Sequence, residues 1–250
     1  NLLTPGDGPG GNIISEGMAN FSTLLLFEEI KGEAARREFS KRLETRYARE
    51  RRADNERPMV EVDGSREGDG TVTYEKGGWV PWMLMRLMGR EAMMAGLREF
   101  IARFQDGPDY PLLQDQIQVL REFAPDTAAF DDFVNQWYFD VVVPWYRVEA
   151  AEKRPESTGG EGPEGWETTF TLRNVGTGRM TVDVAVTVGE PFDEDGEALG
   201  DYREVRTTLT LGAGEERVVT IRSDFEPKRI IVDPDVRVLQ LRREQAVHEF

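Results

Sequence analysis

Cysteine is absent from this chain, and histidine occurs once, as His248 close to the end. The first absence excludes disulfides, thiolate metal sites and a cysteine nucleophile in any compartment. The second leaves no pair of imidazoles for a catalytic zinc, which takes three protein ligands and a water. It also leaves a Ser-His-Asp arrangement without a plausible centre. No run approaches the roughly eighteen apolar residues that a membrane-crossing helix needs. The opening stretch Asn1–Gly10 has neither the basic region nor the apolar core of a signal peptide, and it lacks an initiating Met. Localisation is therefore unknown, and this end is expected to lie inside a longer chain. Positive charge is scarce: 31 basic residues stand against 47 acidic ones, for a net charge of -16. That balance argues against a nucleic-acid partner, because phosphate backbones reward Lys and Arg. It suits a solvated acidic surface, or attraction of cationic peptide amines.

What is present is enough to build cores. The 250 residues are 39% hydrophobic and include 13 Phe, 6 Tyr and 5 Trp, which suits one large domain or two modest ones. After a Gly/Pro-rich opening, Ile14, Met18, Phe21 and Leu25 follow a helical spacing that Gly32 ends. A second helix is expected from Glu33 to Glu50, with Ala35, Phe39, Leu43 and Tyr47 on one face and charged residues giving a solvated outer side. Residues 51–73 break the period, with an extended piece at Arg57–Val62 and turns at Asp63-Gly64 and Asp69-Gly70. Helical pattern then resumes from Tyr74 to Met88, with Pro81 in its first turn. It continues through Met93–Phe104, Leu112–Phe123 and Thr127–Tyr138. Residues 1–150 thus read as a helical lobe.

The polar stretch 151–164 reads as a linker. Beyond it the period drops to two at Thr168–Leu172, Met180–Val186 and Val205–Leu211, and further strands are expected at Glu216–Ile221, Arg229–Val232 and Arg237–Leu241. Residues 165–242 are expected to form a small antiparallel β-sandwich, and 243–250 a tail. The fold class is therefore α+β in two domains.

Two short stretches draw chemical interest. In Ile14-Ser15-Glu16-Gly17-Met18-Ala19-Asn20, a carboxylate opens an apolar helix. Such a Glu commonly answers the positive helix end, but its apolar neighbours suggest partial burial, and a buried carboxylate needs a partner or a metal. In Tyr74-Glu75-Lys76-Gly77-Gly78-Trp79-Val80-Pro81-Trp82, a phenol precedes another apolar helix. A tyrosine there is ordinarily half-buried packing. Its chemical reading is as a donor to an oxygen that turns negative during attack. Gly77-Gly78 permits close approach of backbone or substrate, and neither P-loop nor dinucleotide spacing is met. Glu28-Glu29 and Asp131-Asp132 read as solvated faces, and Arg36-Arg37 and Arg49–Arg52 as internal ion-pair partners.

These stretches resemble the second half of the catalytic domain of M1 zinc aminopeptidases, the gluzincin type. Ser15-Glu16-Gly17 looks like the family's Ser/Asn-Glu-Gly tripeptide, Tyr74-Glu75-Lys76-Gly77 like its tyrosine segment, and Phe133-Val134-Asn135-Gln136-Trp137 like its Phe-x-x-x-Trp segment. The resemblance implies the helical lobe of a thermolysin-like domain, followed by the sandwich that members often carry. It implies that Glu16 is the third zinc ligand and that Tyr74 polarises the scissile carbonyl. The zinc helix with its His-Glu-x-x-His and the strand that receives the substrate amine have no counterpart. The resemblance implies a parent that cleaves N-terminal residues from peptides, holds zinc and, like some members, is membrane-associated, while the fragment itself is expected to be inactive and to bind zinc weakly or not at all. A truncated lobe would expose an apolar face, so a dimer, or partial disorder near residues 1–14 and 51–73, is expected. The competing reading is a non-catalytic docking module derived from the peptidase fold. A carbohydrate- or peptide-binding sandwich would instead need an aromatic cluster from Trp166, Phe170 and Phe192.

Overall fold

The computed structural model describes residues 6–106, 110–156 and 165–250. They divide into two compact units: residues up to Lys31 together with Glu38–Val142, and Gly32–Arg37 together with Val143–Phe250. The architecture is α+β, with an N-terminal helical region followed by antiparallel β-sheet.

The helical unit begins with a π-helical turn at Ile13–Gly17 that runs into α1 (Met18–Leu26). A second π turn, Phe27–Lys31, leads to α2 (Gly32–Glu50), and Gly32 supplies the left-handed φ of +80° at the junction. On α2 the expected apolar row is present, with Leu43 and Tyr47 buried. The opposite expectation, a solvated remainder, is corrected: Arg36, Ser40 and Glu44, four residues apart, form a second buried row. The loop after α2 contains a 3-10 turn at Met59–Glu61 where an extended piece was expected. This loop is not loose. Arg57 pairs with Asp63 and Asp69, and Asp69 also accepts the N–H groups of Gly64 and Arg66.

Next comes one continuous helical run made of α3 (Asp69–Thr71), a π turn at Val72–Lys76 and α4 (Gly77–Met88). Because helix begins upstream of Tyr74, Pro81 lies inside the run and not in a first turn. Gly89, at φ +87°, breaks it from α5 (Arg90–Phe104). Helices α6 (Leu113–Glu122) and α7 (Thr127–Trp137) follow, the latter capped by Asp126, which accepts the N–H groups of Ala128 and Ala129. Phe130, Phe133, Val134 and Trp137 are buried, as their spacing requires.

The second unit has two antiparallel sheets. β1 (Tyr146–Glu156), β2 (Gly165–Asn174) and β5 (Glu216–Ser223) form one, in the order β1-β2-β5. The other runs β4-β3-β6-β7, from β3 (Met180–Val188), β4 (Arg203–Leu211), β6 (Arg229–Val232) and β7 (Val247–Glu249). Tyr146, Phe170, Leu172 and Ile221 from the first sheet meet Val182, Val184, Ile230 and Val232 from the second in one core.

Three boundaries move. Residues 151–156 belong to β1, so the linker assignment fails there, while 157–164 lie outside the described residues. The supposed tail contains a 3-10 turn at Arg243–Ala246 and β7. Finally, Arg237–Leu241 is not a strand. Its backbone is engaged by side chains instead: the Asp233 carboxylate accepts the N–H groups of Arg237 and Val238. Just upstream, the Arg36 guanidinium donates to the carbonyls of Asp235 and Val236.

Candidate functional site

Glu16 and Tyr74 meet. The Glu16 carboxylate is the main influence on the Tyr74 phenol: its negative charge, then some loss of hydration, then hydrogen bonding to that carboxylate, raise the phenol above its ordinary pKa. The phenol therefore stays protonated, a donor, throughout the neutral range. Both side chains are exposed, which corrects the expectation that Glu16 is partly buried. Their settings are alike. Each occupies a π turn, a rare local geometry that often accompanies functional positions. From Thr71 to Val80 every residue is buried except Tyr74, whose side chain is 43% exposed. An apolar helix that turns one phenol outward beside a carboxylate is not explained by packing.

The backbone crossing that makes the pair is built from glycines. A Cβ on Gly17 would sit 2.8 Å from the carbonyl oxygen of Gly77, and one on Gly78 would sit 2.5 Å from the Cβ of Asn20. Pro81 has no N–H to offer the Gly77 carbonyl, and that carbonyl faces Gly17. Side chains at these positions would push the two helices apart and separate the carboxylate from the phenol.

Beneath Tyr74, the same π turn is anchored by charges. The Lys76 ammonium is fully buried and donates to Glu56 at 3.0 Å. Tyr47 donates to the same carboxylate at 2.7 Å, and Arg51 pairs with its other oxygen at 2.8 Å. The Lys76 ammonium also lies 5.9 Å from the centroids of the Tyr47 and Trp137 rings. Burial pushes Glu56 up, but Lys76, Tyr47 and Arg51 together hold it below the ordinary carboxylate value. Lys76 is lowered by burial against the pull of Glu56. The neighbouring Glu75 is raised by burial, with Arg46 at 3.2 Å opposing.

Sequence reasoning named Glu16, Tyr74 and the Trp137 segment but missed Asn20, Glu56 and Lys76 as parts of this arrangement. Lys76 stood inside the quoted motif, and a lysine amid apolar helix was a readable sign of a buried partner. Glu56 lay in an aperiodic loop and carried no such sign. The basic clusters act as expected of internal ion pairs. Arg37 meets Asp235 at 2.6 Å and Arg51 meets Glu56 at 2.8 Å. The aromatic cluster required by a carbohydrate-binding sandwich does not form from the named residues: Phe170 is core, Trp166 lies under Lys153, and Phe192 under Arg37.

The described residues by themselves do not make a metal site. Among the described residues no group of three or more His, Cys, Asp or Glu side chains is placed to hold an ion. Glu16 offers one carboxylate, and the phenol beside it is a neutral donor. His248 lies in β7 of the other unit, its ring edge-on to Phe250 with centroids 4.9 Å apart. No protein-family model matches the chain, and no curated protein matches it. No helix among the described residues is long and apolar enough to cross a membrane.

Proposed function

We propose that this chain carries the carboxylate-and-phenol part of a metallo-aminopeptidase site of the M1 kind, and that the protein to which it belongs hydrolyses N-terminal peptide bonds. The observation that supports this most is the pairing of Glu16 with Tyr74 in the order and setting that the resemblance implies. The described residues do not complete a zinc site, so the reading requires imidazole ligands from outside these 250 residues. Zinc in such a site would supply Lewis acidity. What this chain supplies is a donor. A phenol held protonated by a neighbouring negative charge can turn its one O–H from Glu16 to an oxygen that gains charge as a carbonyl is attacked. Because its bond to that oxygen strengthens as charge develops, it favours the transition state over the ground state.

The test is turnover of aminoacyl-anilide substrates by the protein at the length its source makes it. Tyr74→Phe is expected to lower kcat by about 10²–10³ with KM little changed. Wild-type protein without peptidase activity, or a Tyr74→Phe variant as fast as wild type, would overturn the reading. Inactive wild-type protein would leave the docking module, which the exposed apolar residues Leu26 and Ile30 favour, at 57% and 69% exposed and one turn apart.

A further inference from the structure

The Glu16–Tyr74 contact depends on where the Tyr74 backbone sits, and one polar contact from α1 reaches that backbone. The side-chain amide of Asn20 donates to the Tyr74 carbonyl at 2.9 Å. Asn20 lies in the first turn of α1, four residues after Glu16, so it shares a rigid helical segment with the carboxylate. It reaches the carbonyl because position 78 has no side chain, since a Cβ there would be 2.5 Å from the Asn20 Cβ. The same carbonyl accepts the N–H of Gly77 at the end of the π turn. From inside the unit, Lys76 and Glu75 fix the turn by ion pairs to Glu56 and Arg46. The α1 side is fixed at the residue that bears the phenol.

We infer that Asn20 is a positioning residue: by holding the Tyr74 carbonyl against α1, it sets the phenol beside Glu16 and aims it outward. The significance of that aim for catalysis rests on the peptidase reading, whereas the positioning itself does not. A polar side chain in the first turn of a helix would ordinarily face water. Asn20 instead spans two segments far apart in sequence, and it does so at the one exposed residue of a buried stretch.

The deciding measurement is made on this chain alone. Nuclear Overhauser cross-peaks between Tyr74 ring protons and Glu16 methylene protons, in selectively labelled protein, read the contact directly. Asn20→Ala is expected to abolish these cross-peaks while the remaining spectrum stays folded. Ser22→Ala serves as control: it removes a hydrogen bond within the same helix, to the Met18 carbonyl, and should leave them intact. Should Asn20→Ala not fold, Asn20→Asp keeps the volume, replaces the donor with an acceptor and is expected to give the same loss. Undiminished cross-peaks in a folded Asn20 variant would overturn the inference. Because no turnover is needed, that result is separable from failure of the peptidase reading. Where turnover exists, Asn20→Ala should lower kcat and spare KM.

Discussion

At the scale of single residues, the most exacting arrangement is the buried one beneath Tyr74. Lys76 and Glu56 are both withdrawn from water: the Lys76 ammonium pairs with Glu56, and Glu56 is held by Lys76 together with Tyr47 and Arg51. Lys76→Met would leave Glu56 with Arg51 and Tyr47 alone. It is expected to destabilise the helical unit by about 3–5 kcal/mol, read as a lower urea midpoint with an unchanged slope. An unchanged midpoint would contradict this dependence of Glu56 on Lys76. The legibility of these residues was uneven for a physical reason. Glu16 and Tyr74 could be singled out because a motif surrounds them in sequence. Glu56 lay outside both stretches, and Asn20, though it closes the first, gave no sign of its role, because the partner of each is supplied by the fold and not by neighbours in the chain.

At the scale of elements, the helix crossing at Gly17, Gly77 and Gly78 fixes what the residues can do. Gly78→Ala would force its Cβ against Asn20 and is expected to cost about 1–3 kcal/mol, as overpacked sites do. Gly70→Ala offers the contrast. It lies in α3 with no heavy atom within 4 Å of its added Cβ, and is expected to stabilise by about 0.4–1 kcal/mol. Thermal or urea unfolding of the two variants checks both signs, and equal effects would refute the account of the crossing. Periodicity located α2, α5, α6, α7 and strands β2 to β6 because each carries a regular apolar row in its sequence. It failed where that signal is weak or displaced. The π turns at Ile13–Gly17 and Val72–Lys76 insert a residue into the helical period. β1 is an edge strand rich in Glu, Lys and Arg, so its polarity read as a linker. The span 237–241 alternates like a strand, yet its neighbourhood is organised by Asp233 and Arg36.

At the scale of the whole molecule, two properties are open to measurement. The first is acid sensitivity. Burial pushes Glu56, Asp69 and Asp235 upward, but cationic and hydrogen-bonding partners outweigh it and hold all three below the ordinary carboxylate value. The unfolded chain therefore binds more protons than the fold in the acid range. Their stabilisation is complete above the ordinary carboxylate pKa of about 4 and disappears as pH falls through the depressed values. Glu75, raised by burial, acts in the opposite sense: its contribution is present at low pH and lost as pH rises through its folded value. Three groups against one predict that the urea midpoint falls as pH drops from about 7 to about 3. A midpoint that rises would contradict the ion-pair assignments.

The second is metal content, which reaches the central claim that Glu16 belongs to a site whose remaining ligands lie outside these residues. This chain by itself is expected to take up no zinc stoichiometrically in a calorimetric titration, since it gathers no three-ligand group among its described residues. The direct measurement is the zinc content of the protein at its source length, wild type beside Glu16→Gln. The account predicts one tightly held zinc per wild-type chain and its loss in the variant. A wild-type protein free of zinc after metal loading, or a variant that keeps the ion, would contradict it.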